Sequence, residues 1–140
     1  MARLLTGKPV ADALSADTRR RADALRRRGV QPKLVILRCG DDESDGAYIR
    51  GAAKRGALCG VTVEVRSLPG DISAAALAAA IDGVNGDPTV HGCLLLRPLP
   101  AHLRRDEPSL CARLSPDKDV DGMTPASAAA VFTGQGRGFA

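Results

Sequence analysis

The stretch Lys33-Leu34-Val35-Ile36-Leu37-Arg38-Cys39 decides the fold. Its four consecutive apolar residues show no polar alternation, the pattern of a strand buried on both faces. Such a strand belongs in a parallel sheet covered by helices. Directly after it, Gly40-Asp41-Asp42-Glu43-Ser44-Asp45-Gly46 reads as a turn and a helix start, and Ala47 to Leu58 as a helix closed by Gly60. Upstream, Val10, Leu14, Thr18, Arg21 or Ala22, and Leu25 recur near helical spacing between Pro9 and Arg28. Pro9 suits a first turn there and Gly29 a stop.

Downstream, Val61 to Val65 alternates as Val-Thr-Val-Glu-Val, a half-exposed strand. Ser73 can cap an alanine-rich helix to about Val84, ended by Asn85-Gly86-Asp87-Pro88. Cys93 to Leu96 is another apolar strand, leading into Pro98-Leu99-Pro100, and a shorter helix follows around Arg104 to Leu114. The alternation predicts a three-layer α/β fold, with a parallel sheet of three to four strands near 33–39, 61–66 and 92–97 and helices on both faces. No internal repeat or low-complexity linker interrupts the chain, so residues 1–140 are expected to form a single domain. In such a sheet the working site lies outside the carboxyl ends of the strands. That brings Gly40–Tyr48, Leu68–Asp71 and Arg97–Pro100 around one crevice.

Composition narrows the function classes. Apolar residues make up 44% of the chain but aromatics only 2%, so the core must be built from Leu, Val, Ile and Ala. No apolar run approaches the roughly 20 residues needed to span a bilayer. The start, Met1 to Gly7, turns polar after two leucines, so a soluble, cytoplasmic protein with no membrane partner is expected. Cys39, Cys59, Cys93 and Cys111 form no CxxC pair and read as buried thiols rather than as metal ligands. The net charge of +4 includes Arg19-Arg20-Arg21 and Arg26-Arg27-Arg28, a conceivable nucleic-acid footprint. The triplets lie seven apart on one amphipathic helix, however, and one Tyr with no Trp gives no stacking platform. No nucleic-acid partner is expected.

Four segments, in order, resemble the bifunctional methylenetetrahydrofolate dehydrogenase/methenyltetrahydrofolate cyclohydrolase family, specifically its N-terminal catalytic, folate-binding domain. Leu5-Thr6-Gly7-Lys8-Pro9-Val10-Ala11 looks like the family's opening Leu-x-Gly-Lys-x-x-Ala. Cys39-Gly40 followed by Tyr48-Ile49 is similar to its glycine loop and Tyr-Val helix. Val90-His91-Gly92-Cys93-Leu94 with Pro98-Leu99-Pro100 resembles its third strand and loop, GxLxQxPLP. Ser115-Pro116-Asp117-Lys118-Asp119-Val120-Asp121-Gly122 is similar, almost letter for letter, to its Pro-x-Lys-Asp-Val-Asp-Gly signature.

The resemblance implies interconversion of one-carbon-substituted tetrahydrofolates, with NADP or NAD held by a second, dinucleotide-binding domain. It implies that Tyr48 packs on the folate ring, that Asp121 hydrogen-bonds the pterin, and that Pro98, Leu99 and Pro100 wall the ligand. Each position makes physical sense: an aromatic face suits a flat pterin, and a carboxylate accepts paired N–H donors. Read without the family, Tyr48 is equally a half-buried helix aromatic and Asp121 a turn carboxylate. Lys118 and Asp119 read as a local surface ion pair.

The pattern breaks at the proton-transfer residues. The family's lysine, four residues after the tyrosine, falls on Ala52, and the glutamine that hydrogen-bonds it falls on Leu96. Lys54 lies about 240° around the helix from Tyr48, close to the opposite face, and is a poor substitute for that lysine. Arg97 stands where the family has an apolar residue, and Asp45 where it usually has serine. With Ala and Leu at the catalytic positions, cyclohydrolase activity is expected to be weak or lost. The dinucleotide domain is expected to be absent, since the family's would begin shortly after Phe139 and Gly134-Gln135-Gly136-Arg137-Gly138 follows no strand. No cofactor is therefore expected in this chain, with a tetrahydrofolate derivative as ligand. A folate-binding module is the leading expectation. The alternatives are an active enzyme working with a separately encoded nucleotide-binding subunit, or a structural dimerisation module, so a homodimer or partner subunit is possible.

Overall fold

The computed structural model describes residues 6–134, with the side chains of Glu43 and Ser44 left out of account. Its elements are α1 (Lys8–Arg27), β1 (Lys33–Cys39), α2 (Glu43–Cys59), β2 (Thr62–Leu68), α3 (Ala74–Gly86), β3 (Gly92–Leu95), a 3₁₀ turn (Ala101–Leu103), α4 (Glu107–Ala112) and α5 (Pro125–Thr133). The three strands form one parallel sheet in the order β2-β1-β3. The α/β architecture expected from the sequence is the one observed, with three strands.

β1 sits at the centre because it alone can be buried on both faces. Val35, Ile36 and Leu37 are each 0% exposed. Register puts Val35 and Leu37 on the same face as Cys93 and Leu95 of β3. On that face they pack with Leu77, Ile81 and Val84 of α3 and with Leu110 and Cys111 of α4. The opposite face carries Leu34 and Ile36 level with Val63 and Val65 of β2, and α1 and α2 cover it. Burial holds the core thiol of Cys93 protonated, with its pKa pushed up to about 11.

The element boundaries differ from the sequence reading in four places. α2 begins at Glu43 instead of Ala47, because carboxylates are favourable in a helix's first turn and so extend the helix rather than the loop. β2 runs on to Leu68, since Arg66, Ser67 and Leu68 pair with Leu37, Arg38 and Cys39 of β1. α5 was not expected. Thr124 caps it by accepting a hydrogen bond from Ser127 N at 3.1 Å, and Pro125 occupies its first turn. The helix expected around Arg104–Leu114 is divided into the 3₁₀ turn and a short α4.

Four of the six triplet arginines pair with aspartates of α1. Arg19 and Arg26 pair with Asp23, and Arg20 and Arg21 with Asp17. Arg26 also donates to the Gly60 carbonyl at 2.6 Å. Among the described residues no helix is long and apolar enough to cross a membrane.

α2 approaches β2 at a glycine. A methyl on the buried Gly56 would collide with the Val63 side chain and come within 2.9 Å of the Val61 carbonyl oxygen. Gly51, on the exposed side of the same helix, has nothing within 4 Å of a built Cβ. Gly56→Ala should therefore destabilise by about 1–3 kcal/mol although alanine is the better helix former. Gly51→Ala should stabilise by up to about 1 kcal/mol. Denaturant unfolding of the two variants checks this, and equal shifts of the same sign would show that α2 does not press on β2.

Candidate functional site

Because the strands are parallel, their carboxyl ends meet at one edge, and a crevice of about 350 Å³ opens there. Its lining is Asp45 and Tyr48 from the first turns of α2, Leu94 to Arg97 at the end of β3, and Asp121. Asp45 and Tyr48 are three residues apart on α2 and so share one face. Tyr48 is 51% exposed, open to the crevice rather than sealed in the core. The Asp121 carboxylate lies 3.8 Å from Arg97 Nη2, with both side chains about half exposed. A pair so solvated contributes at most about 1 kcal/mol, so its importance is directional.

Asp121 is held in place by its two charged neighbours in the signature segment. Lys118 and Asp119 do not pair with each other as the sequence suggested. Lys118 Nζ donates to the carbonyls of Val84, Asn85 and Asp87 at 2.7, 2.9 and 2.7 Å, closing the carboxyl end of α3. Asp119 is 0% exposed and accepts from the backbone N–H groups of Met123 (3.1 Å) and Thr124 (2.8 Å), at the start of α5. Each charge thus meets the end of a helix whose dipole it complements. The same segment is stitched to the sheet, since Cys93 N donates to Lys118 O at 2.7 Å and Cys93 bridges to Asp119 in parallel. Gly122, at φ +67°, then turns the chain after Asp121, a conformation that disfavours side chains.

The other expected site residues are dispersed. Leu96 lines the crevice, its N–H donating to Leu37 O at 2.9 Å. Ala52 does not. It faces a separate apolar trough of about 510 Å³ between α1 and α2, which reaches down to Leu34 and Val63. One helical turn beyond Tyr48, on nearly the same face, it lies further along the axis beside the seam with α1. Lys54 is exposed and lines neither space. Leu99 packs in the core at 3% exposure, and its N–H donates to Glu107 Oε2 at 3.1 Å. Pro98 and Pro100 flank it without lining the crevice. Asp45 and Arg97, which the structure does bring to the site, were legible only as departures from a pattern. The i, i+3 spacing from Asp45 to Tyr48 was the available signal.

Chemically, the lining offers charged and hydrogen-bonding groups beside apolar ones, without the lysine and glutamine that the resemblance implies. It contains one phenol, one guanidinium and two carboxylates, with no lysine, histidine or glutamine. Among the described residues no group of three or more His, Cys, Asp or Glu is placed to hold a metal ion. His102 lies elsewhere, its Nε2 hydrogen-bonded to Ile72 O at 2.8 Å.

Residues 5–121 match the family described as tetrahydrofolate dehydrogenase/cyclohydrolase, catalytic domain. The chain belongs to that family. It is 39% identical over 139 residues to the bifunctional protein FolD of Alkaliphilus oremlandii, covering 99% of this chain and 48% of that protein. It is 40% identical over 136 residues to FolD of Clostridioides difficile, covering 97% and 47%. The fold matches the crystal structure of the bifunctional FolD methylenetetrahydrofolate dehydrogenase/cyclohydrolase of Campylobacter jejuni with a TM-score of 0.88, at 27% identity over 95% of this chain and 46% of that one. The Trypanosoma brucei FolD, solved with NADP cofactor and an inhibitor, gives a TM-score of 0.83 at 26% identity, covering 93% and 44%. The chain spans about half the length of the curated relatives it matches.

The Asp119 carboxyl yields a test of this clamp. Burial alone would raise its pKa, but hydrogen bonds from the Thr124 and Met123 backbone and the Ser127 and Thr124 side chains outweigh burial and lower it. A folded-state pKa below the unfolded one adds stability that is present above about pH 4 and is lost as the pH falls through the lower, folded value. Asp119→Asn should flatten that acid limb of the stability–pH curve, measured by urea unfolding. Lys118→Met, which strands three carbonyls, should cost about 1–3 kcal/mol at every pH. An unchanged acid limb in Asp119→Asn would refute the clamp.

Proposed function

We propose that this chain binds a one-carbon-substituted tetrahydrofolate between Tyr48 and Asp121, and that its own cyclohydrolase activity is weak or lost. The observation carrying the reading is that the family's aromatic and pterin-binding positions flank one crevice, whereas its lysine and glutamine positions hold Ala52 and Leu96. The Tyr48 ring offers a stacking face and Asp121 two acceptor oxygens for paired N–H donors. Leu94 and Leu96 supply apolar contact. General acid–base groups contribute about 10²–10⁴-fold in rate, and neither alanine nor leucine can supply that.

NADP or NAD chemistry in this family supplies the hydride step. The described residues do not fit such a cofactor. The turn after β1 is Gly40-Asp41-Asp42, with Asp41 paired to Arg38, and it lacks the glycine-rich run that would cradle a pyrophosphate.

Titration with 5,10-methenyl-tetrahydrofolate, followed by heat release and by ultraviolet absorbance, tests the reading. Saturable binding is expected, with absorbance decaying at the spontaneous rate. Tyr48→Ala and Asp121→Ala should each weaken binding by about tenfold or more. Decay accelerated a thousandfold over the spontaneous rate would contradict the loss of hydrolysis. Binding indifferent to both substitutions would place the ligand elsewhere.

A further inference from the structure

The crevice is electrically unbalanced. Its lining carries two carboxylates, Asp45 and Asp121, against one guanidinium, Arg97, a formal charge of −2 + 1 = −1. Arg97 lies against Asp121, and Asp45 forms no ion pair among the described residues. The position where the resemblance puts a lysine is Ala52, which contributes no charge and faces the trough. The position where it usually puts serine is Asp45. Asp45 thus adds a negative charge to the crevice and Arg97, where the resemblance puts an apolar residue, adds a positive one, and Asp121 leaves the lining negative. The positive end of the α2 dipole offsets part of Asp45 but not all of it, being worth about half a charge.

One-carbon folates differ in charge at a single place. In the methylene and formyl forms the N5–N10 region is neutral. In the 5,10-methenyl form the two nitrogens share one positive charge across the bridging carbon. Asp45 lies one turn from Tyr48 on the same face of α2, so a ring stacked on Tyr48 sits beside its carboxylate. We infer that this crevice selects the cationic methenyl folate over neutral one-carbon folates, with Asp45 as the selecting residue. Arg97 moderates the selection by occupying Asp121. The inference rests on the folate reading above and adds the form of the ligand.

At roughly 5 Å, one charge pair favours the cation by about fourfold in bulk water and by a few hundredfold at an effective dielectric near 20. Half-exposed walls place the expected preference near tenfold, declining as salt is added. The experiment compares calorimetric affinities of the 140-residue chain for 5,10-methenyl- and 5-formyl-tetrahydrofolate, in mildly acidic buffer where the methenyl bridge persists. The parent should bind the methenyl form about tenfold more tightly. Asp45→Ser should bring the ratio close to one, and Arg97→Leu should widen it; opposite shifts cannot come from a common loss of folding. Equal affinities in the parent, or a ratio unmoved by Asp45→Ser, would overturn the inference while leaving folate binding intact. Failure of both ligands to bind would remove the folate reading and this inference together.

Discussion

Everything in this fold depends on β1 being inaccessible from either side. With Val35, Ile36 and Leu37 at zero exposure and both edges hydrogen-bonded, the chain must supply a helical layer above and below. It must also return each later strand in the same direction. The crevice is a by-product of those returns. Parallel strands bring the start of α2 and the end of β3 to one edge, and the Cys93–Asp119 bridge adds the Asp121 segment beyond β3. No loop has to fold back to build the site.

The parts legible in the sequence were those governed by local composition. β1 carries its own signal, since an uninterrupted apolar heptapeptide core has no other comfortable placement, and its limits agree with the reading residue for residue. What the sequence concealed was decided by distant partners. Ser67 and Leu68 look like a loop until β1 offers them a ladder. Lys118 and Asp119, adjacent and opposite in sign, invite pairing with each other, yet each finds backbone groups tens of residues away or around the next corner. Leu99 sits between two prolines that suggest an exposed wall, and the core claims it instead. The Thr124-Pro125 pair was an available start signal for α5 that composition alone underweighted.

The candidate site divides along similar lines. Tyr48 and Asp121 were located by motif and meet across one opening in the structure. Ala52 shows the limit of alignment. Its number places it one helical turn beyond Tyr48, yet it lines the trough between α1 and α2 and not the crevice.

The Lys118–Asp119 anchor has a consequence for motion. A surface segment between two short helices would ordinarily open on its own, with the low free energy of a loop. Here consecutive residues are fastened to the end of α3, to β3 and to the start of α5, so opening the segment breaks all three attachments at once. The backbone bearing Asp121 therefore belongs to the same cooperative unit as the core. The Met123 and Thr124 amide hydrogens, held by the buried Asp119 carboxylate, should exchange with solvent on the slow clock of global unfolding, so the exposed Asp121 is carried on backbone with the lifetime of the interior.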